Sequence, residues 1–379
     1  MYNRNVIIPL AISAAVATLF LTRTVWALHR FKYRPADHAS ADLPSVSVCI
    51  AARNETHALA QCLERVLKSD YPKLEILVLD DSSDDDTSLI IKSFAGAGVR
   101  FIAGKELPSG WLGKNHAYQT LIDEASGDYV LFLDVDTSVA PTTVTQLVDQ
   151  LLAHRKSMLS VLPRREDAFR ASAVFGTMRY HWELLLGTKD SPPAASALWL
   201  VRRDRLADAG IGLAHYGLSV RPERHLARQL QRDKDYYYLI GTEKLGVGFE
   251  KRWRSQAETA FRLYFPMSGR SLWKWAIAVL IVLALLAPLP VILSWRWTAF
   301  ELTWAIVDLV IISAAIRLYT ARTHGTGRSL RMIVWPALLV QELTLLVISF
   351  LKYRFGTVTW KGRAVHAQPS NRAHLEIGE

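Results

Sequence analysis

Two carboxylates two positions apart follow a run of apolar residues near the middle of the chain. The run, 129–133, reads Tyr-Val-Leu-Phe-Leu, and Asp134 and Asp136 come after it with one valine between them. A buried strand with this sequence would deliver both carboxylates to the edge of a sheet. Hard divalent cations take such oxygen ligands, and phosphate oxygens of a bound ligand often complete their coordination. The pair therefore predicts a metal site that can hold a diphosphate and stabilise its negative charge.

Two further polar clusters come directly after predicted strands. The segments 45–51 and 74–79 are short and apolar, as buried strands are. The first is followed by Ala-Arg-Asn-Glu at 52–55, and the second by an acidic, serine-containing run at 80–87. Each cluster also has a local explanation, because acidic and serine residues cap helices, which is the role expected for 84–87. Three clusters after three strands are less easily explained in this way.

The elements that must position these clusters alternate between strand and helix. Helical patterns cover 57–68 and 115–125, and further strands are predicted at 99–103 and 128–134. Such alternation is typical of an α/β fold with a mostly parallel sheet covered on both faces. Ligands of such sheets bind beyond the carboxyl ends of the strands. The three polar clusters are therefore expected at one edge of one sheet.

Apolar residues are unevenly distributed along the chain. Half of the 379 residues are hydrophobic, and they are concentrated in the first 30 residues and beyond residue 272. The middle, about residues 44–265, has the mixed composition of a soluble domain. A chain of this length provides one large domain or two small ones.

Basic residues give the chain a net charge of +10 and cluster at 30–34, 317–331 and 352–363, beside the apolar segments. This position favours contact with anionic lipid headgroups over nucleic acid. Cys49 and Cys62 lack the spacing of metal ligands, so neither a zinc site nor a disulfide framework is predicted.

Four apolar segments are candidates for membrane helices: 5–22, 275–295, 302–316 and 332–350. The first is predicted to be an uncleaved anchor, because no small-residue cleavage site follows it. Its basic flank is on the C-terminal side, which places the residues from 30 onward in the cytoplasm. The chain is accordingly predicted to be a multi-pass cell-membrane protein with a cytoplasmic middle domain.

The last apolar segment leaves the topology open. The loop at 317–331 and the residues after 351 are both strongly basic, and a full crossing between them would put one outside the cell. The segment 331–351 is therefore either spanning or re-entrant. The predicted organisation is an N-terminal anchor at 1–35, a catalytic domain at 44–265, membrane segments at 266–355 with a hairpin at 273–319, and a cytoplasmic tail at 356–379.

Taken in order and spacing, the three clusters resemble those of the family 2 glycosyltransferases, whose catalytic domain has the GT-A fold. The matching residues lie within 45–140 and read Ala-Arg-Asn-Glu, Leu-Asp-Asp-Ser-Ser-Asp-Asp-Asp-Thr and Phe-Leu-Asp-Val-Asp. With membrane segments on both sides, the resemblance extends over most of the chain. It implies a GT-A domain and transfer of a sugar from a nucleotide donor.

The resemblance implies a role for each matching residue on the donor side. Asp80 or Asp81 would bind the uracil and ribose of a UDP-sugar, and Arg53 and Glu55 would shape the nucleotide pocket. Asp136 would coordinate Mg²⁺ or Mn²⁺ directly. Asp134 would contact the ribose, or the metal through water.

The stretch 107–115, Leu-Pro-Ser-Gly-Trp-Leu-Gly-Lys-Asn, narrows the resemblance to members that glycosylate lipids. It is similar to a Pro-x-Gly-Trp-x-Gly-Lys stretch of the ceramide glucosyltransferases, the hopanoid-associated enzymes and the carotenoid-acid glycosyltransferases. Lys114 would then reach the nucleotide or phosphates of the donor. The alternative is a glycine-rich surface turn.

The expected general base departs from the family pattern. Inverting members carry Glu-Asp-x-x-Leu-Ala, whereas 222–227 reads Pro-Glu-Arg-His-Leu-Ala. Alignment on Leu-Ala puts Glu223 at the position of the aspartate, so a carboxylate is kept and is one methylene longer. A helix N-terminal glutamate opposite the macrodipole is the alternative interpretation. His225 and His181 are weaker candidates for the base.

Two motifs near the C-terminal half complete the resemblance. Phe-Glu-Lys-Arg-Trp at 249–253 is similar to the acceptor motif Gln-x-x-Arg-Trp, so Arg252 would offset phosphate charge and Trp253 would stack on a sugar or acceptor. Alternatively, 250–275 is an amphipathic helix at the membrane interface. Thr-Trp-Lys-Gly-Arg at 359–363 resembles a stretch at the cytoplasmic face of relatives, which favours the re-entrant or interfacial interpretation of 332–350.

These features predict an inverting, metal-dependent enzyme that moves a sugar from a UDP-sugar to a membrane lipid at the cytoplasmic face. A processive polysaccharide synthase is one alternative, although four candidate segments are few for a polymer channel. A non-catalytic membrane scaffold that retains the nucleotide pocket is another. The sequence does not identify the sugar, the lipid or the oligomeric state.

Overall fold

The computed structural model describes residues 4–36, 43–166, 171–207, 213–294, 297–325, 328–360 and 363–365. The chain divides into two compact units. An α/β unit consists of Tyr33–Arg164, Gly187–Glu250 and Thr359–Glu379, and a helical unit consists of Met1–Lys32, Arg165–Leu186 and Lys251–Val358. Parts of the predicted catalytic range 44–265, namely residues 165–186 and 251–265, therefore group with the helices.

The strands, in chain order, are β1 Val46–Ala52, β2 Leu74–Asp80, β3 Val99–Ala103, β4 Tyr129–Leu133, β5 Thr137–Val139, β6 Met158–Leu162, β7 Arg164–Arg165, β8 Leu198–Arg202, β9 Tyr236–Ile240, β10 Val247–Phe249, β11 Thr359–Trp360 and β12 Arg363–Ala364. The helices are α1 Arg4–Arg30, α2 Leu59–Leu67, α3 Thr87–Ser93, α4 Gly113–Glu124, α5 Thr143–His154, α6 Ala171–Val174, α7 Arg179–Leu186, α8 Arg203–Ala207, α9 Pro222–Arg232, α10 Trp253–Met267, α11 Leu272–Leu286, α12 Pro288–Leu293, α13 Ala299–Thr323 and α14 Arg328–Phe355.

A seven-stranded sheet forms the centre of the α/β unit, with the strand order β3-β2-β1-β4-β8-β6-β9. The first four of these strands are parallel, and β8 runs antiparallel between β4 and β6. The mostly parallel sheet predicted from the sequence is confirmed. The antiparallel strand β8 was not predicted.

The continuous apolar sequences of the central strands arise because both faces of the sheet are covered. In β4 all five residues are buried, and in β1 only Ala51 is partly exposed. Helix α2 packs one face against this core through Leu59, Cys62, Leu63 and Val66. Full burial of one such leucine contributes about 1.5–3 kcal/mol. Burial also explains why the strand ends can be read from the sequence.

Among its described residues, the helical unit has four helices that are long and apolar enough to cross a membrane. They are Asn5–Arg30, Leu272–Leu293, Ala299–Thr323 and Leu330–Phe355. The prediction placed these segments correctly but made several of them too short, because it stopped at charged residues. Arg23, for example, lies within α1 and donates hydrogen bonds to the Leu185 carbonyl at 2.7 and 3.0 Å.

A second charged residue inside an apolar helix, Glu342 of α14, is fully buried. Its carboxylate accepts hydrogen bonds from the Tyr264 hydroxyl at 2.6 Å, the Trp182 indole at 2.9 Å and the Met178 backbone N–H at 2.9 Å. Three donors offset much of the cost of burying a carboxylate. Glu342 is therefore compatible with an uninterrupted α14.

Two predicted segments differ from the structure in continuity. The predicted amphipathic helix 250–275 is two helices, since α10 ends at Met267 and α11 begins at Leu272. Gly269 and Arg270 in the break have φ of 64° and 57°, which end a helix. In contrast, α14 is one helix of 28 residues that contains Pro336. Whether this segment is spanning or re-entrant stays a prediction.

Candidate active site

The strands that precede the three polar clusters are neighbours and end at one edge of the sheet. β1 lies between β2 and β4 and is parallel to both. Ala52, the last residue of β1, lies opposite Asp80, the last residue of β2. Because carboxyl ends of parallel strands share an edge, the loops after these strands begin side by side. The structure thus brings the clusters together as the sequence predicted.

The loop after β1 is tied to the acidic loop after β2. The Arg53 guanidinium donates to the backbone oxygens of Asp81 and Ser82, at 2.5 Å and 3.0 Å. The Glu55 backbone N–H donates to the Thr87 hydroxyl at 2.9 Å. Arg53 and Glu55 therefore hold the two loops against each other. Their contribution to a nucleotide pocket remains a prediction.

Asp80 and Asp81 have different partners, which separates the two candidates for base recognition. The Asp80 carboxylate accepts from the Ser83 backbone N–H at 3.2 Å, from the Ser83 hydroxyl and from the Ser88 hydroxyl at 2.8 Å. These hydrogen bonds join the Asp80 carboxylate to residues of its own loop and of the helix that follows it. The Asp81 carboxylate instead contacts Arg363 of the C-terminal segment, at 2.8 and 3.0 Å. Asp81 is thus the carboxylate whose partner can be exchanged for a ligand.

Lys114 in the first turn of α4 contacts one of the two carboxylates after β4. Its Nζ lies 2.6 Å from Asp134 Oδ1, and the Tyr118 hydroxyl lies 3.4 Å from the same oxygen. The side chains of Lys114 and Asp134 are 23% and 25% exposed, so solvent and a ligand can reach the pair. Lys114 was predicted to reach the donor phosphates. In this structure it pairs with Asp134, and its contact with donor phosphates remains a prediction.

The electrostatics of this pair keep a positive charge at the sheet edge. Burial alone would lower the pKa of Lys114, but the negative charge of Asp134 and the hydrogen bond to it outweigh that effect and raise the pKa. Burial also raises the pKa of Tyr118, and the neighbouring Lys114 opposes this only in part. Lys114 is therefore an ammonium and Tyr118 a neutral phenol at neutral pH.

Asp136 lies in the turn between β4 and β5. It is partly exposed, as Asp134 is, whereas Val135 between them is buried. Its backbone oxygen accepts from the Glu250 N–H at 3.3 Å, which joins the turn to the end of β10. The alternating burial places Asp134 and Asp136 on the accessible side of the turn and anchors the turn through Val135.

The carboxylates at this turn suit a cation whose coordination is completed by oxygen atoms of a bound ligand. Across the described part of the chain, no three histidine, cysteine, aspartate or glutamate side chains come together closely enough to hold a metal ion. One or two carboxylates with phosphate and water oxygens are, however, the usual coordination of Mg²⁺ in nucleotide sites. Asp136 and Asp134 match that pattern, and a metal held here would need further oxygen ligands from a bound phosphate or from water.

Asn115, which the sequence analysis did not assign a role, organises the loop before α9. Its side-chain amide nitrogen lies 2.8–2.9 Å from the backbone oxygens of Tyr216, Gly217 and Ser219. The Leu112 backbone N–H donates to the Gly217 oxygen at 2.8 Å. The start of α4 and the loop that leads to Glu223 are thereby fixed to each other. The Gly-Lys-Asn stretch was the signal for this role.

Glu223, the candidate base, is 2% exposed and lies in the first turn of α9. Its Oε1 lies 3.2 Å from Nε of Arg221, which is itself buried and donates to the Ala194 carbonyl. Each of these two buried charges is therefore compensated by the other. The negative charge of Glu223, like that of Asp134, contributes to raising the pKa of Tyr118.

The two histidines are poorer bases than Glu223. His225 stacks on Tyr216 with ring centroids 4.6 Å apart. Burial and the charges of nearby arginines lower the pKa of His225 to about 4. Burial lowers the pKa of His181 to about 3, and that residue lies in the helical unit, 2.9 Å from Thr24 and stacked on Tyr319. Neither imidazole has the proton affinity that a general base needs near neutral pH.

Arg252 and Trp253 belong to the helical unit, as His181 does. Arg252 is the exposed residue before α10. The Trp253 indole donates to Gln341 Oε1 of α14 at 2.9 Å. Helix α10 buries Ala257, Ala260 and Tyr264 with Leu345 of α14. The start of α10 is thus packed on α14, and a contact of Arg252 or Trp253 with an acceptor remains a prediction.

Residues 47–193 match the family model described as Glycosyl transferase family 2. A mannosyltransferase, PcManGT from Pyrobaculum calidifontis, solved in complex with GDP-Man and Mn²⁺, aligns with 92% of this chain and 99% of its own. The TM-score is 0.55 and the sequence identity 17%, so the likeness shows a shared fold. The chain therefore contains a family 2 glycosyltransferase domain, and its α/β unit has the GT-A fold.

Two curated relatives are similar over shorter regions. The 4,4'-diaponeurosporenoate glycosyltransferase of Staphylococcus aureus is 27% identical over 183 residues, which is 46% of each chain. An N-acetylglucosaminyltransferase of Bradyrhizobium diazoefficiens is 32% identical over 148 residues, 36% of this chain and 30% of the relative. The chain spans less than half the length of either relative.

Proposed function

We propose that the chain is an inverting glycosyltransferase that moves a sugar from a UDP-sugar to a membrane lipid. The observation that carries the proposal is that β1, β2 and β4 are neighbouring parallel strands within a region that matches family 2, with Asp81 after β2 and the Lys114–Asp134 pair after β4. Four candidate membrane helices in the same chain support a lipid acceptor. The similarity to the 4,4'-diaponeurosporenoate glycosyltransferase of Staphylococcus aureus also supports it.

On the donor side, each group has a distinct task. Asp81 accepts an N–H of the base, since Asp80 is occupied by its own turn. Lys114 offsets the negative charge of the diphosphate, as a lysine commonly does in phosphate sites. Asp136, with Asp134, would hold Mg²⁺ or Mn²⁺. A cation bound there stabilises the charge that develops on the leaving diphosphate.

On the acceptor side, Glu223 is the group that takes the proton. The acceptor hydroxyl attacks the anomeric carbon, the bond from that carbon to the diphosphate oxygen breaks, and the hydroxyl proton passes to the Glu223 carboxylate. One displacement inverts the configuration of the sugar. A carboxylate acceptor would need no base, so Glu223 is required only for a hydroxyl acceptor.

The path of the chain between the two parts of the α/β unit limits the topology. The chain leaves this unit after Glu250 and returns to it at Thr359. Both ends of that path lie on one side of the membrane, so the number of crossings between them is even. Three candidate spans lie on the path. We infer that the hairpin of Leu272–Leu293 and Ala299–Thr323 crosses twice, and that α14 stays on the catalytic side.

Cysteine labelling in cells tests this topology. A Trp297→Cys variant, in the hairpin turn, should react with a membrane-impermeant maleimide in intact cells. A Ser370→Cys variant, in the tail, should react only after the membrane is opened. The native Cys49 and Cys62 are buried and provide the background. Labelling of the Ser370→Cys variant in intact cells would show that α14 crosses the membrane.

Transfer of radiolabelled sugar to membrane lipids tests the proposed function. Membranes that contain the protein should move label from a UDP-sugar into the lipid extract, stop in EDTA and resume when Mn²⁺ or Mg²⁺ is added. Transfer of label from GDP-mannose, but not from a UDP-sugar, would show that the donor is not a UDP-sugar. Long polymer in the product would indicate a processive synthase. Binding of UDP without transfer from any donor would indicate a scaffold.

A further inference from the structure

Arg363, in the short C-terminal hairpin of β11 and β12, lies against the candidate donor site. Its Nη1 lies 2.8 and 3.0 Å from the two carboxylate oxygens of Asp81, which precedes it by 282 residues. Arg363 is 27% exposed and Asp81 8%. The carboxylate best suited to receive the donor's base is therefore occupied by a cation of the same chain.

Gly113 leaves the space that the Arg363 guanidinium occupies, and Gly104 lets the backbone pack closely against Asp80 and Asp81. A Cβ at Gly113, the first residue of α4, would lie 2.6 Å from Arg363 Nη1 and 2.9 Å from Asp81 Oδ2. A Cβ at Gly104 would lie 2.6 Å from the Asp80 backbone oxygen and 3.1 Å from Asp81 Cα. Any side chain at Gly113 would displace the guanidinium. The space beside Asp81 Oδ2 is thus taken by Arg363, and a group that enters it must displace the guanidinium.

We propose that Arg363 competes with the nucleotide for Asp81, so that donor binding must release the C-terminal hairpin. This inference rests on the proposed function, because it assumes that Asp81 receives the base. Both oxygens of Asp81 face one guanidinium nitrogen, and they cannot accept a base N–H in the same place. Contact of Asp81 with Arg363 and binding of the base are therefore mutually exclusive.

The contact is of a kind that a ligand can displace. A single nitrogen bridges both oxygens, so the pair lacks the two parallel bonds that make a forked arginine–carboxylate pair strong. The hairpin is held by two residue pairs, Thr359 with Ala364 and Trp360 with Arg363. If the pair is closed in about nine molecules of ten, it weakens the apparent affinity for the nucleotide about tenfold.

Isothermal titration of the full-length protein in detergent with UDP and Mn²⁺ tests the competition. An Arg363→Gln variant should bind UDP about three- to tenfold more tightly than the wild type, because the competing cation is gone. An Arg363→Lys variant keeps the charge and should fall between them. The control is Arg100→Gln, which removes another arginine–carboxylate pair of the α/β unit, with Glu124, and should leave the affinity unchanged.

Hydrogen exchange supplies a readout that a merely structural arginine would not move. UDP should speed amide exchange at 359–365 in the wild type, whereas in Arg363→Gln exchange there should be fast with and without UDP. Equal or weaker binding of UDP by Arg363→Gln would overturn the competition alone. If neither protein binds UDP or GDP, the competition and the proposed function both fail.

Discussion

Replacement of Asp136 by asparagine is expected to lower the rate constant of sugar transfer by about a hundredfold to a thousandfold. Asparagine has nearly the same shape but lacks the charge that a divalent cation requires. The fold should persist, because Asp136 is partly exposed and the backbone bond to Glu250 does not involve its side chain. Initial rates of lipid labelling at saturating donor measure the effect.

The matched control is Asp123→Asn on the exposed side of α4. That carboxylate accepts a hydrogen bond from Gln119 at 2.9 Å, which asparagine can also accept. Its rate should equal that of the wild type. A rate in Asp136→Asn within about threefold of the control would exclude a metal role for Asp136, since loss of one charge-stabilising group costs far more.

The second large effect is expected at Glu223. A Glu223→Gln variant should lose about a hundredfold to ten-thousandfold in rate with a hydroxyl acceptor, because an amide cannot take the proton. Glu223→Asp keeps a carboxylate and should retain a substantial part of the activity. Comparison of the two variants, with UDP affinity measured for each, separates chemistry from binding.

Two further measurements test whether the loss of activity has another cause, namely lower stability or a different base. Glu223→Gln leaves the buried Arg221 without its carboxylate and should reduce stability, which a thermal melt would record. His225→Gln should change the rate less than about fivefold, because an imidazole with a pKa near 4 is a weak base. Full activity in Glu223→Gln would point to a carboxylate acceptor or another base.

The sequence was most informative about the sheet edge. Fully buried parallel strands have unbroken apolar sequences, so the predicted ends of β1, β2 and β4 lie within about one residue of the observed ones. The carboxyl ends of parallel strands also lie at the same edge of a sheet, so the convergence of the polar loops could be predicted from the sequence. The donor side of the candidate site follows from these two facts.

Contacts between distant residues could not be predicted in the same way. Nothing local to Asp81 indicates Arg363, and nothing local to Trp253 indicates Gln341 as its partner. Arg221 is two residues from Glu223 in the sequence. Its guanidinium also donates to the Ala194 carbonyl, a distant partner that the sequence does not indicate. The lengths of the membrane helices were underestimated because the prediction stopped at charged residues. The partners that stabilise those residues lie in other segments of the chain.

Binding of Mn²⁺ tests the central claim most directly, because it reports on the carboxylate site without the acceptor. Electron paramagnetic resonance of the full-length protein should show one Mn²⁺ bound per chain when UDP is present and little without it. The Asp136→Asn variant should lose this signal. Tight binding of UDP that is unaffected by EDTA, or a Mn²⁺ signal that survives in Asp136→Asn, would contradict the account.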